Sequence, residues 1–154
     1  MKTYYPNYLQ KLLPQSFKAL INETANWTTF RNEQYGFELR HSADMGVQQM
    51  DTGDHPIGVF EIKTFYSGKQ NTLGIEIAIV PETDSQLGEM GERPRGTVSE
   101  KNITIDGVAG KYFTITQGGD TGEEVWIKNR ERVYIFKGIE PIFSKILSTF
   151  KFIR

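Results

Sequence analysis

Three observations in the sequence predict the α/β (α+β) class, as a three-layer α/β/α sandwich around a largely antiparallel sheet. Apolar residues recur every three or four positions near both chain ends, the period of a helix with one buried face. Between them, from Trp27 to Lys137, the period drops to two and turn signals recur, the pattern of strands folding back on their neighbours. The strands are apolar on both parities, so their sheet needs a cover on each side, and the two terminal helical segments supply one each.

The first helix is expected over residues 7–22, where Tyr8, Leu9, Leu12, Leu13, Phe17, Leu20 and Ile21 form one stripe that Pro14 kinks or splits. Trp27 to Phe30 and Tyr35 to His41 read as two short strands around a turn at Arg31 to Gln34. Met45 to Pro56, with Gly46, Gly53 and Pro56 among Asp and Gln, reads as a loop. Ile57 to Tyr66 and Leu73 to Val80 are firm strands, the second with Ile75, Ile77 and Ile79 on one face. Pro81 to Arg95 is polar and rich in Gly and Pro, a long loop of the kind that carries function.

The second half reads as a meander. Val98 to Ile105 and Ala109 to Thr116 flank Asp106-Gly107, a strong hairpin signal, and Gln117 to Glu123 is a Gly-rich turn. Glu124 to Lys128 and Arg132 to Lys137 form a second tight hairpin around Asn129-Arg130. Glu140 to Thr149, with Pro141 near its start, is the closing helix. By residue parity, Phe113, Ile115, Val125, Ile127, Val133 and Ile135 share one face. Tyr112, Trp126, Tyr134 and Phe136 share the other, which reads as core rather than as a binding platform.

Two segments carry a family resemblance. Trp27-Thr-Thr-Phe30-Arg-Asn32-Glu-Gln-Tyr35-Gly36-Phe37-Glu-Leu39 and Ile146-Leu147-Ser148-Thr149-Phe150-Lys151-Phe152, with the Ile103 to Ala109 hairpin between them, resemble bacterial members of the PsbP-like superfamily. The pattern spans Trp27 to Phe152. It divides the chain into an N-terminal helical segment or linker (1–25) and a PsbP-like domain (26–154). One departure is visible: His41-Ser42 stands where such domains usually carry Tyr-Pro. The resemblance implies a three-layer α/β/α fold and a binding or accessory role. Relatives include an extrinsic subunit of the photosynthetic oxygen-evolving complex and a Ran-binding nuclear import factor, and many bacterial members look like exported or lipid-anchored domains. Fold-level analogy carries function no further.

Composition narrows the chemistry. The 154 residues hold 18 Lys and Arg against 19 Asp and Glu, so a net charge of −1 gives no global field for a phosphate backbone, and no nucleic-acid partner is expected. Cys is absent, which removes thiol nucleophiles and thiolate metal sites and leaves the compartment open. No run of about 18 apolar residues is present to span a bilayer. Met1 to Leu20 lacks the continuous apolar stretch of a signal peptide, so a cell-envelope location would require a native export signal to have been removed.

Asp51-Thr52-Gly53 and Asp120-Thr121-Gly122 match the triplet of aspartic proteases, but their flanks are polar where that chemistry needs desolvated carboxylates. They read as turns. His41, Asp51, Asp54 and His55 are candidate metal ligands, two imidazoles with carboxylates able to hold zinc or manganese, although no tight spacing joins them and a solvated polar loop is favoured. Lys128, Arg130, Arg132 and Lys137 gather near one hairpin beside Trp126 and Tyr134, a pattern that could bind single-stranded nucleic acid or an acidic partner. Nearby Glu residues dilute it toward a solvated face. No phosphate loop or nucleophile elbow appears. The expectation is a non-catalytic domain without a cofactor, docking on a protein or cell-envelope partner through the loops Met45 to Pro56 and Pro81 to Arg95. The alternative is a small metal-binding protein or metal-dependent hydrolase using the 41–55 loop and Glu61.

Overall fold

The computed structural model of the chain describes residues 24–53, 58–64, 73–83 and 93–154. Ten strands and one six-residue helix are delimited among them. The strands are β1 (Thr28–Asn32), β2 (Phe37–His41), β3 (Met45–Met50), β4 (Gly58–Thr64), β5 (Leu73–Pro81), β6 (Thr97–Ile105), β7 (Val108–Gln117), β8 (Asp120–Asn129), β9 (Arg132–Gly138) and β10 (Lys151–Phe152). The helix, α1 (Ile142–Leu147), precedes β10. The expected helix over residues 7–22 lies outside the described residues, as does most of the Pro81 to Arg95 loop.

The strands form two antiparallel sheets. One has seven strands in the order β3-β4-β5-β9-β8-β7-β6, and the other has three, β1-β2-β10. This overturns the three-layer α/β/α sandwich: the described residues are mostly β. The inner face of the large sheet is covered by the small sheet together with α1, which contacts β5, β2 and β9. The expected closing helix, Glu140 to Thr149, shortens to Ile142–Leu147, because the chain turns back after Leu147 and pairs Lys151 and Phe152 with Glu38 and Phe37 of β2. Backbone groups there are satisfied by the sheet instead of by a further helical turn.

Met45 to Met50, expected as part of a loop, is the edge strand β3, paired with β4 from Met45↔Thr64 to Met50↔Val59. An edge strand has only one neighbour and its end residues Gln48, Gln49 and Met50 are exposed, so its composition mimics a loop. The turn expected over Gln117 to Glu123 tightens to Gly118-Gly119, and β8 starts at Asp120.

The parity grouping is corrected by the register. A two-residue hairpin turn pairs residue i with i+3, as at Ile105↔Val108 and Asn129↔Arg132, so odd residues of one strand face even residues of the next. Val125 and Ile127 therefore lie with Tyr112, Tyr134 and Phe136 on the inner face, while Trp126 lies with Phe113 and Ile135 on the outer one. The inner face meets Phe37, Leu39, Phe143, Ile146, Leu147, Phe150 and Phe152 in one continuous core. Phe37 stacks on Phe150 with centroids 5.5 Å apart, and Phe136 meets Phe150 edge-on at 4.9 Å. Gly138 permits the close seat of α1 on β9: a Cβ there would lie 2.5 Å from Phe143 Cδ2 and 2.8 Å from the Gly74 carbonyl oxygen.

The outer face is mixed rather than apolar. One register row runs Gln48, Glu61, Glu76, Lys137, Glu124, Phe113 and Glu100 across all seven strands. Phe113, Val80, Ile135 and Glu124 are buried on it, and Phe113 meets Trp126 edge-on at 5.7 Å. Two helices roofing two greasy faces is thus not the arrangement among the described residues.

Candidate functional site

The three two-residue hairpin turns of the large sheet differ in one respect. Asp106-Gly107 has φ of 49° and 80°, and Gly118-Gly119 has 59° and 90°, residues that enter left-handed conformations at little cost. The β8–β9 turn, Arg130-Glu131, places Arg130 at φ 59°. A long side chain in that region costs on the order of 1 kcal/mol, and such outliers concentrate where a chain is used for something besides folding.

Beside this turn lies a half-open groove of about 660 Å³, bounded by the β1–β2 turn (Glu33, Gln34, Gly36), the β8–β9 turn and the C-terminal Ile153-Arg154. The sheets are tied here: Tyr134 Oη donates to the Tyr35 carbonyl at 2.7 Å, and Ile153 N donates to the Gly36 carbonyl at 2.9 Å. Arg132 donates from Nη1 to the Gln34 carbonyl at 3.1 Å and lies 5.5 Å from the centroid of the Tyr35 ring. Arg154 Nη2 donates to the Asp106 carbonyl at 2.9 Å and lies 3.5 Å from its carboxylate. Arg130 is exposed, with no ion-pair partner among the described residues. Glu33 is held by Arg31 Nε at 2.6 Å and Arg154 by Asp106, which leaves Glu131 on the groove beside Arg130 and Arg132. Across Arg132, a smaller hollow of about 250 Å³ is walled by Tyr35, Ile79, Val80 and Pro81. A largely apolar hollow thus abuts a groove that displays arginines.

Two other polar clusters lie away from the groove. Glu140 accepts from Tyr112 Oη at 3.0 Å and from the Ser144 hydroxyl, and its second oxygen takes the Ser144 N–H at 3.4 Å, which satisfies a free donor at the start of α1. Burial, reinforced by Glu140, pushes the Tyr112 hydroxyl above its usual range and keeps it a donor. On the outer face Trp126 Nε1 donates to Glu124 Oε1 at 2.7 Å. Burial raises the Glu124 pKa, with Glu76 adding to the effect and the Trp126 bond and Lys137 opposing it.

The candidate ligands divide. His41 is buried at the end of β2, its Nδ1 2.9 Å from the Ser42 carbonyl oxygen, and Asp51 lies beyond the far end of β3, accepting the Gly53 N–H at 2.8 Å in an exposed turn. The six residues of β3 separate them by roughly 16 Å at the usual strand rise. Asp54 and His55 lie outside the described residues, and among the described residues no three His, Asp or Glu side chains gather as a metal site. Glu61 is paired with Lys63 at 2.9 Å. The groove residues at the β1–β2 turn and chain end carried no sequence signal. The Arg130 turn did: it has the hairpin spacing but no glycine.

No protein-family model matches the chain, and no curated protein matches it in sequence. Among solved structures it is similar to the solution structure of cyanobacterial PsbP (CyanoP) from Synechocystis sp. PCC 6803. The identity is 11%, covering 81% of this chain and 91% of that one, with a TM-score of 0.54. The chain therefore has a PsbP-like fold. Among the described residues no helix is long and apolar enough to cross a membrane.

Proposed function

We propose that the chain is a non-catalytic accessory domain that docks on a protein partner through the groove between the β1–β2 and β8–β9 turns. The observation that carries this reading is the groove itself: Arg130 and Arg132 of the β8–β9 hairpin and Arg154 of the C-terminal segment displayed beside the β1–β2 turn, which a hydrogen-bonded seam holds in place. Surface turns on a rigid sheet are the usual seat of recognition. The groove is open along one side, which suits a partner's chain more than an enclosed small molecule. The PsbP-like fold is consistent with an accessory role.

A photo-crosslinking residue at Gln34, compared with one at Met50 on the opposite edge, tests the reading in a lysate of the source cells. One discrete adduct at Gln34, competed by excess unlabelled domain and lost on Arg132→Glu, supports it. Adducts at Met50 alone overturn it.

The metal reading of His41, Asp51, Asp54 and His55 has its own test. Zinc, manganese or calcium should raise the melting temperature if the native state binds the ion. No shift removes that reading.

A further inference from the structure

We infer that the groove and its adjoining hollow recognise one class of partner: an extended acidic segment carrying one apolar side chain next to its carboxylates. The inference rests on the docking reading above and adds the chemistry of the occupant.

Charge is the first argument. Arg130 stands on the groove with no ion-pair partner among the described residues, and Arg132 spends one of a guanidinium's five N–H donors on Gln34 while facing both hollows. Guanidinium groups match carboxylates bidentately, and two of them a few residues apart on one turn suit consecutive acidic side chains. The chain's net charge of −1 makes this attraction local to the groove.

Shape is the second. The smaller hollow, between Tyr35, Ile79, Val80 and Pro81, shares Glu131 and Arg132 with the groove, so an apolar side chain seated there places its neighbours directly beside the arginines. Buried apolar anchors surrounded by charge are the common anatomy of a peptide site.

Backbone is the third. The equivalent position holds Asp106 at φ 49° in the β6–β7 turn and Gly118 at φ 59° in the β7–β8 turn, short residues that tolerate this region, where the β8–β9 turn carries Arg130 at φ 59°. Glycine there would fold at least as well, so Arg130 occupies this position at a conformational cost.

The test is a fluorescence-anisotropy titration of the whole chain with synthetic peptides. The probe is Gly-Ser-Leu-Asp-Glu-Asp-Ser-Gly. Its controls carry Lys at the three acidic positions or Ser in place of Leu, and single-stranded oligothymidylate is the other anion. Saturable binding of the probe is expected, weakening with added salt. Arg130→Glu should lower affinity about tenfold or more and the Leu-to-Ser control several-fold. Arg130→Gly relieves the strained backbone, so it should weaken binding several-fold while holding or raising the melting temperature. That variant separates lost recognition from lost folding.

The inference is overturned if the probe fails to saturate by about 1 mM. It is equally overturned if the Lys peptide binds as well, if Arg130→Glu leaves affinity unchanged, or if oligothymidylate binds more tightly than the probe. Peptide failure with the Gln34 cross-link intact removes the acidic class and leaves the docking reading. Loss of that cross-link removes both.

Discussion

The two faces of the seven-stranded sheet are made from the same strands and obey different physics. The inner face presents Phe60, Ile62, Ile75, Ile77, Val125, Ile127 and Phe136, each at most 1% exposed, to the small sheet and α1. The outer face carries Glu61, Glu76, Lys137 and Glu124 in one register row, with Phe113, Ile135 and Trp126 among them. Burial of apolar area specifies the first without reference to charge. On the second, ionised groups face neighbours of either sign: Lys137 lies between Glu76 and Glu124, whereas Glu61 stands opposite Glu76 and pairs with Lys63 of its own strand. The difference teaches that stability resides in the inner face, while the outer face responds to pH and salt.

The sharpest way to break this contrast is Phe136→Ala. Phe136 is fully buried against Phe150, and its truncation should cost about 3–5 kcal/mol, seen as a lowered urea midpoint. A loss below about 1 kcal/mol would mean the two sheets are not one packed core. Tyr134→Phe comes next. It removes the hydroxyl that joins the inner face to Tyr35 and leaves that carbonyl without its donor, for about 1–2 kcal/mol by the same assay.

Glu124→Gln should act in the opposite direction. Burial raises the folded-state pKa of Glu124, so the folded chain holds this proton more tightly than the unfolded one. Stability from this group is present below the unfolded pKa and lost as pH rises through the folded value. Glutamine retains an acceptor for Trp126 without the charge, so at pH 7 the variant should melt about 2–4 °C higher, and the gap should close as pH falls through the folded pKa. A variant less stable than wild type at neutral pH would show that Lys137 outweighs burial. The smallest effect is expected for Lys63→Ala, which breaks the pair with Glu61 at a cost of about 0.5 kcal/mol that vanishes in high salt.

Much of the fold was legible because local chemistry announced it. Asp106-Gly107 stands at a two-residue turn as its dipeptide predicts, and the isoleucine alternation of β5 lies on the core face. The two segments that carry the PsbP-like resemblance are spatial neighbours: Phe37 pairs with Phe152 and stacks on Phe150, and Thr149 Oγ1 accepts the Arg40 N–H at 2.8 Å. Less legible were β3, whose exposed glutamines follow from its edge position, and β10, a two-residue strand that exists only by pairing with β2.

The sequence by itself determined which stretches alternate, where most hairpins turn and that Phe37, Phe150 and Phe152 carry a shared pattern, because these depend on near neighbours in the chain. Tertiary structure alone decided that, among the described residues, a second small sheet accompanies α1 over the inner face. It also decided that Val125 sides with Tyr112 rather than Phe113, since register is a relation between strands. The groove belongs to the same category: Gln34, Arg130 and Arg154 lie far apart in the chain and meet where hydrogen bonds close the seam between two sheets.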